Sequence, residues 1–389
     1  MHVMRLDSPF TSSVSKCQDF SPLCKQKLRV EMRKVVVVSQ KKRRRYAYGS
    51  RQPSALPKRA ATVAPRVPPA SILRMTLYVN NKTAMRFWCM VASSLEDVTN
   101  PCTICEVKNA STTLRSIDPN SLEGLVDSSH VVHLLVSDPN QRTQSPRFEY
   151  HLRTKAYPLG AFRRLSHDVL VASPELCFIE MANALPFFKL VEFGYLLCGT
   201  YTLNPEVESP NKRKPLTTKR KLASFIDRMG NARGCAIARK ALDFAIEGSA
   251  SVRETKTTIL LCTPSRLGGY GLNWPELNYR IDFTEEEQRM FGRPYVVIDL
   301  YWHASCFGLE YDGEKGHSEE ADVSRDRRKD SELSYHGIRI LRVDKVQLAS
   351  PFQVYVLAKK CGRALGKTIR KPTQRQLEAR RELFNAIMR

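Results

Sequence analysis

Apolar and polar positions change period several times along this chain, and each change marks an element. Residues 83–91 carry a helical spacing, while residues 131–136, 147–152 and Val169–Ala172 read as strands. Ser173-Pro174-Glu175 is a helix start, with Ser as cap, Pro at the first helical position and an acid in the first turn. A helical region follows to about Tyr195 and breaks near Pro186. From Leu222 another helix pattern places Phe225, Ile226 and Met229 on one side, with Ala236, Ala241 and Phe244 following; this is packing rather than chemistry. Ser251 to Glu254 matches the S-x-x-E capping box and opens a helix to about Cys262. Gly268-Gly269 makes a turn, and strands are predicted at 276–283, 295–301 and 306–311. A charged helix at 319–336 stops at Gly337, the usual residue after a helix end, before a last strand at 338–343. The order from 251 onward is αβββαβ, so the fold class is α/β.

These elements divide the chain into a small α/β domain at 75–205, a basic linker with helices at 206–250, a core at 251–348 and C-terminal helices at 349–389. Residues 1–74 show neither period, and a Lys41-Lys42-Arg43-Arg44-Arg45 run with a Pro/Ala/Arg-rich tract predicts a disordered arm. Seventeen Lys and Arg stand there against Asp7, Asp19 and Glu31, so +14 of the net charge of +23 belongs to the arm. The body is only mildly basic, and charge alone does not establish a nucleic-acid-binding fold. The arm admits three readings: a phosphate grip, a solvated tail, or residues ahead of a true start at Met75. The basic stretches around Lys212-Arg213-Lys214 and Lys219-Arg220-Lys221 are either a backbone-tracking surface or solvated charge.

The eleven cysteines are odd in number and scattered, and Cys177, Cys198 and Cys262 sit among apolar neighbours, the usage of reduced, buried thiols in a cytoplasmic protein. Cys102 and Cys105 have zinc-knuckle spacing but no second pair at a matching distance. No stretch has the length and apolarity of a membrane span, and the first residues lack the apolar region of a secretion signal.

The segment Val296-Val297-Ile298-Asp299-Leu300-Tyr301-Trp302 is apolar except for one carboxylate, which is costly to bury unpaired. A two-residue turn at Ala304-Ser305 would set Asp299 opposite Glu310, Leu300 opposite Leu309 and Trp302 opposite Phe307. Asp312 then shares a face with Glu310, about 6.6 Å along the strand. Opposed carboxylates at a Cβ distance of about 4.5–5.5 Å repel, and a bound cation relieves them. Oxygen-only ligands suit Mg2+ or Mn2+, which would favour phosphodiester hydrolysis. A one-residue slip would separate the two acids, Ala-Ser is a poor hairpin turn, and Asp312-Gly313 also reads as an ordinary strand end.

Three strings share one order: Val-Ile-Asp299-Leu, then Gly-Leu-Glu310-Tyr-Asp312-Gly with His317, then Arg-Asp326-Arg-Arg328-Lys329 with Leu333 and Gly337-Ile-Arg-Ile-Leu-Arg342. Together they resemble a bacterial domain of unknown function related to very-short-patch-repair endonucleases, in the PD-(D/E)XK nuclease superfamily. The resemblance covers about the last third of the chain and implies a restriction-endonuclease-like core. It implies Asp299 as central metal ligand and Glu310 as the second, with Asp312 where the superfamily usually has Lys. The activating or charge-stabilising role then falls to His317, Arg328 or Lys329. Glu254 matches the acid this core often places on its first helix, and is equally a capping-box glutamate. The small α/β domain at 75–205, including its strings SPELCFIEMANAL and LLCGTY, faintly resembles antitoxin-type domains of abortive-infection systems, with no catalytic set to carry over. The implied function is a bacterial, cytoplasmic, metal-dependent endonuclease acting on nucleic acid, DNA above all. The alternative is a non-catalytic nucleic-acid-binding or antitoxin-like regulatory protein on the same fold, and a third is a pair of domains serving protein contacts.

Overall fold

Short apolar strands open the first of two sheets. The computed structural model describes residues 75–93, 95–114, 125, 129–142, 144–204, 213–312 and 320–388, without the side chains of 320–327. The basic arm, His317 and the side chain of Asp326 therefore lie outside the described residues. Strands β1 (Leu77–Val79), β2 (Asn100–Pro101), β3 (Val132–Val136), β4 (Phe148–Leu152), β5 (Phe162–Arg164) and β6 (Val169–Ala172) form a mixed sheet in the order β2-β5-β6-β1-β3-β4. The pairs β1 with β6 and β3 with β4 are parallel; the other three are antiparallel.

Helices α1 (Asn81–Met90), α2 (Leu95–Val98), α3 (Pro174–Met181) and α4 (Phe187–Cys198) accompany this sheet. On α1 the buried positions Thr83, Ala84, Phe87 and Trp88 make one face, and the Trp88 indole donates to the carbonyl of Ala172 at 2.9 Å. The cap at α3 forms as its sequence predicts, with Ser173 Oγ accepting the Leu176 N–H and Pro174 at the first position. Pro186 starts α4 rather than kinking one long helix, because a proline lacks the N–H that only a helix interior requires.

Helices α5 (Lys219–Met229), α6 (Cys235–Leu242) and α7 (Val252–Cys262) follow, then β7 (Glu276–Asp282), α8 (Glu285–Phe291), β8 (Tyr295–Trp302), β9 (Phe307–Tyr311), α9 (Glu320–Tyr335) and β10 (Arg339–Val343). The second sheet runs β10-β9-β8-β7, antiparallel except for the parallel β9–β10 pair. Helices α10 (Pro351–Ala364) and α11 (Gln374–Met388) complete a mixed α/β fold. Helix α8 has no counterpart in the sequence-based order; its start is capped by two reciprocal bonds, the Glu287 N–H donating to Thr284 Oγ1 and the Thr284 N–H to Glu287 Oε2. One apolar cluster runs from Leu77 through Phe225 and Leu300 to Ile387, so both sheets and the helices between them share a core. Gly268 permits the docking of α11: its φ is +95°, and a Cβ there would lie 2.2 Å from the Ala379 carbonyl oxygen.

Arg213 belongs to a basic run that read as linker or nucleic-acid surface, yet it is buried. Its guanidinium donates to the carbonyls of Trp88 (2.9 Å), Val91 (3.0 Å) and Leu196 (2.9 Å), tying the end of α1 to α4. Lys214 beside it is exposed. The described cysteines are unbridged, and Cys177, Cys198 and Cys262 are buried. No helix among the described residues is long and apolar enough to cross a membrane.

Arg213→Ala strips a buried donor from the carbonyls of Trp88, Val91 and Leu196, the last of which keeps the Gly199 N–H, and is expected to lower the unfolding free energy by about 2–4 kcal/mol, measured by urea denaturation. Lys214→Ala should stay within about 0.5 kcal/mol of the parent.

Candidate active site

Asp299 stands in the middle of β8, with Val296, Ile298 and Leu300 buried around it. Across the β8–β9 hairpin the paired residues are Leu300 with Leu309, Tyr301 with Gly308 and Trp302 with Phe307. This is the register expected from the sequence, and one further step sets Asp299 opposite Glu310. The connection differs from the expected two-residue turn. A 3-10 turn at His303–Ser305 and Cys306 at φ +42° make a four-residue loop, which suits Ala-Ser better because neither residue has to adopt positive φ.

The Asp299 carboxylate accepts the Tyr311 N–H through Oδ2 at 2.8 Å, which fixes it against β9. Glu310 is only 6 % exposed; its Oε2 pairs with Lys329 Nζ of α9 at 2.5 Å, and its Oε1 is buried with no hydrogen-bond partner among the described residues. Asp312 turns instead to Arg342 of β10, at 2.8 Å, and Arg342 also holds Asp330 at 2.8 Å. Behind them, wholly buried Glu332 of α9 pairs with Arg293. The charged helix α9 thus aims at least two of its side chains, Lys329 and Glu332, at the sheet.

Glu254 sits in the first turn of α7, where Ser251 Oγ accepts its N–H at 3.1 Å. Its own Oε2 accepts from Ala250 N at 2.8 Å and Asn278 Nδ2 at 2.6 Å, so the capping bond reaches one residue further back than the usual box. Asn278 falls opposite Asp299 on β7 and adopts φ +52°, a conformation asparagine tolerates better than most side chains. No sequence pattern announced its role.

Burial dominates the electrostatics. Together with the Asp299 charge, the next cause, it raises the pKa of Glu254 to about 7 against the hydrogen bonds from Ala250 and Asn278. Burial also raises Asp299, against the opposing pull of the Tyr311 N–H and Lys329, and raises Glu310, which feels Asp299 next. Three acids from α7, β8 and β9 therefore influence one another within one neighbourhood. Arg328, which precedes Lys329 on α9, is exposed.

Asp299, Glu310 and Asp312 do not converge as a three-ligand cage, since Asp312 is held away by Arg342. The pair Asp299 and Glu310 nevertheless fits a hard divalent ion, which takes one or two carboxylates and completes its shell with water and phosphate. The orphaned Glu310 Oε1 is the donor atom that such an ion would satisfy. Among the described residues, the set of three ligand atoms that does converge lies elsewhere, at His133, Glu149 and His151 on β3 and β4. Cys102 and Cys105 join no such set among the described residues.

At neutral pH in chelator, Asp299→Asn removes a buried charge beside two other acids while keeping an oxygen for Tyr311. It is expected to raise Tm by about 2–4 °C, or ~1 kcal/mol, in a thermal melt. An unchanged or lower Tm would mean that Lys329 and Arg342 already offset that charge.

No family model matches the chain, and no curated protein and no solved structure matches it.

Proposed function

We propose that this chain is a metal-dependent endonuclease hydrolysing phosphodiester bonds, in DNA above all, on a restriction-endonuclease-like core between α7 and β10. The observation that carries the reading is the opposition of Asp299 and Glu310 across a buried hairpin, with Glu310 Oε1 unpartnered and Lys329 at the other oxygen. Clustered acids repel a phosphate unless they serve a cation, so a surface that only bound nucleic acid would gain nothing from them. The helix–strand–strand–strand–helix–strand order, interrupted only by α8, and the resemblance of the three motif strings to very-short-patch-repair-like nucleases support the same reading.

Asp299 and Glu310 would hold Mg2+ or Mn2+, which supplies Lewis-acid polarisation of the phosphoryl oxygen and a bound water of lowered pKa. Lys329 brings a positive charge to the face of the acids from α9, a helix, rather than from the strand position that Asp312 occupies. On substrate binding its ammonium exchanges a carboxylate for a phosphate oxygen and stabilises the charge that grows there. Glu254 and Asn278 position this edge of the site, with Glu254 Oε2 immobilised by two donors. Arg342 keeps Asp312 aligned and away from the phosphate. A cytoplasmic location agrees with a DNA substrate.

A second reading, a non-catalytic nucleic-acid-binding or antitoxin-like regulator, is favoured by one observation. Lys329 and Arg342 already compensate Glu310 and Asp312, so the core is tenable without an ion.

Nicking of plasmid and single-stranded DNA in Mg2+ or Mn2+ separates the two. The intact chain is expected to cut, and Asp299→Ala/Glu310→Ala to lose at least about 100-fold of that rate. Salt-sensitive binding without metal-dependent cutting by either protein would sink the nuclease reading and leave the regulator.

Lys329→Ala should lower the cleavage rate by roughly 10²–10³ with little change in DNA affinity. If Lys329 only braces Glu310, the variant will melt earlier and cut at the parental rate.

A further inference from the structure

The parallel pair β3 and β4 aligns His133 with Glu149 and Leu135 with His151. Aligned residues of a parallel pair share a face, and alternate residues of a strand share it too, so both histidines and the glutamate emerge on one side of the sheet. His133 Nδ1 lies 2.9 Å from His151 Nε2, and each nitrogen lies 3.7 Å from a different oxygen of Glu149. The rings are nearly parallel, at 16°. A single N–H···N bond explains the ring contact. It does not explain why one carboxylate straddles both nitrogens beyond hydrogen-bonding distance of either.

A tetrahedral ion with Zn–N and Zn–O bonds of about 2.0–2.1 Å spaces its ligand atoms about 3.3 Å apart. The nitrogens are closer than that spacing and each is farther than that from its own Glu149 oxygen, while all three ligand atoms lie within 4.8 Å of one another, so side-chain rotations would close the set around an ion in place of the shared proton. Two imidazoles and one carboxylate select zinc-class cations over Mg2+. The scaffold is prepared on the inner side: the His133 N–H donates to Thr83 Oγ1 at 2.9 Å, and its carbonyl accepts from Asn80 N at 3.1 Å. The His133 side chain is 4 % exposed, whereas His151 and Glu149 on the edge strand are 26 % and 57 % exposed, which opens a path from solvent. Burial favours the neutral, ligating form of both rings. Lys82 and Arg86 of α1 act on His133 with the opposite sense to a carboxylate, so they weaken a cation there and favour an anionic fourth ligand.

We propose that His133, Glu149 and His151 form a zinc-class metal site with an open fourth position, separate from the Asp299–Glu310 site and independent of the nuclease reading. Occupation would fasten edge strand β4 to β3.

The full chain, stripped of metal and kept reduced in excess Mg2+, is titrated with Co2+ by visible absorption and with Zn2+ against a chromophoric chelator. One ion per chain with tetrahedral cobalt bands is expected. Affinity should fall at least about 100-fold in His151→Ala and roughly tenfold in Glu149→Gln, and stay unchanged in Asp299→Ala/Glu310→Ala. Both single variants lie on the edge strand, and equal melting in chelator would establish that they fold. No tight binding, a thiolate-to-cobalt band, or unchanged affinity in His151→Ala would overturn the proposal. Should His151→Ala misfold, unchanged affinity in a folded Glu149→Gln overturns it equally.

Discussion

Burying a carboxylate in the middle of a strand is the constraint from which much of the second sheet follows. Among the described residues no side-chain cation pairs directly with Asp299; it is held by a main-chain N–H and by the fields of Lys329 and Arg342. Glu310 next to it takes Lys329, and Glu332 one turn further along α9 takes Arg293. A helix dense in charge is thereby clamped to the sheet through ions as well as through Leu333, which is wholly buried. Such pairs contribute little net stability once desolvation is counted, but removing one partner leaves a buried charge behind. They therefore fix where α9 sits more than how strongly the fold holds.

Much of this was legible in the sequence, and the parts that were not have physical reasons. The β8–β9 register followed from centring the hairpin on Ala304-Ser305, a centre that the longer loop keeps. The loop that closes it did not, since positive φ at Cys306 carries no sequence signal. Strand β1 is three residues long, too short for a period to show, although it is wholly buried and lies between β6 and β3. Helix α8 lacks any buried residue, so no apolar stripe announced it, even though Thr284 and Glu287 spell a capping box.

The candidate sites divide along the same line. Asp299, Glu310 and Lys329 stood out because acids in an apolar strand and a motif-bearing helix are conspicuous within one segment. Arg213 read as surface charge because a single sequence cannot tell a guanidinium that finds three carbonyls from one that finds water. His133 and the Glu149–His151 pair are sixteen and eighteen residues apart and meet only through a parallel pairing that composition does not encode. Their alternate spacing on β4 was the one available clue.

The close approach of Gly268 to Ala379 bears on how the chain acquires its shape. Leu383 and Ile387 lie on the helix seated there, which also packs against α4 (Phe187–Cys198), far earlier in the chain. Contacts so distant in sequence form late and slow the search for the native state. Until that helix arrives, the surface it covers stays wet, and the partly folded chain is exposed to self-association for as long as the wait lasts.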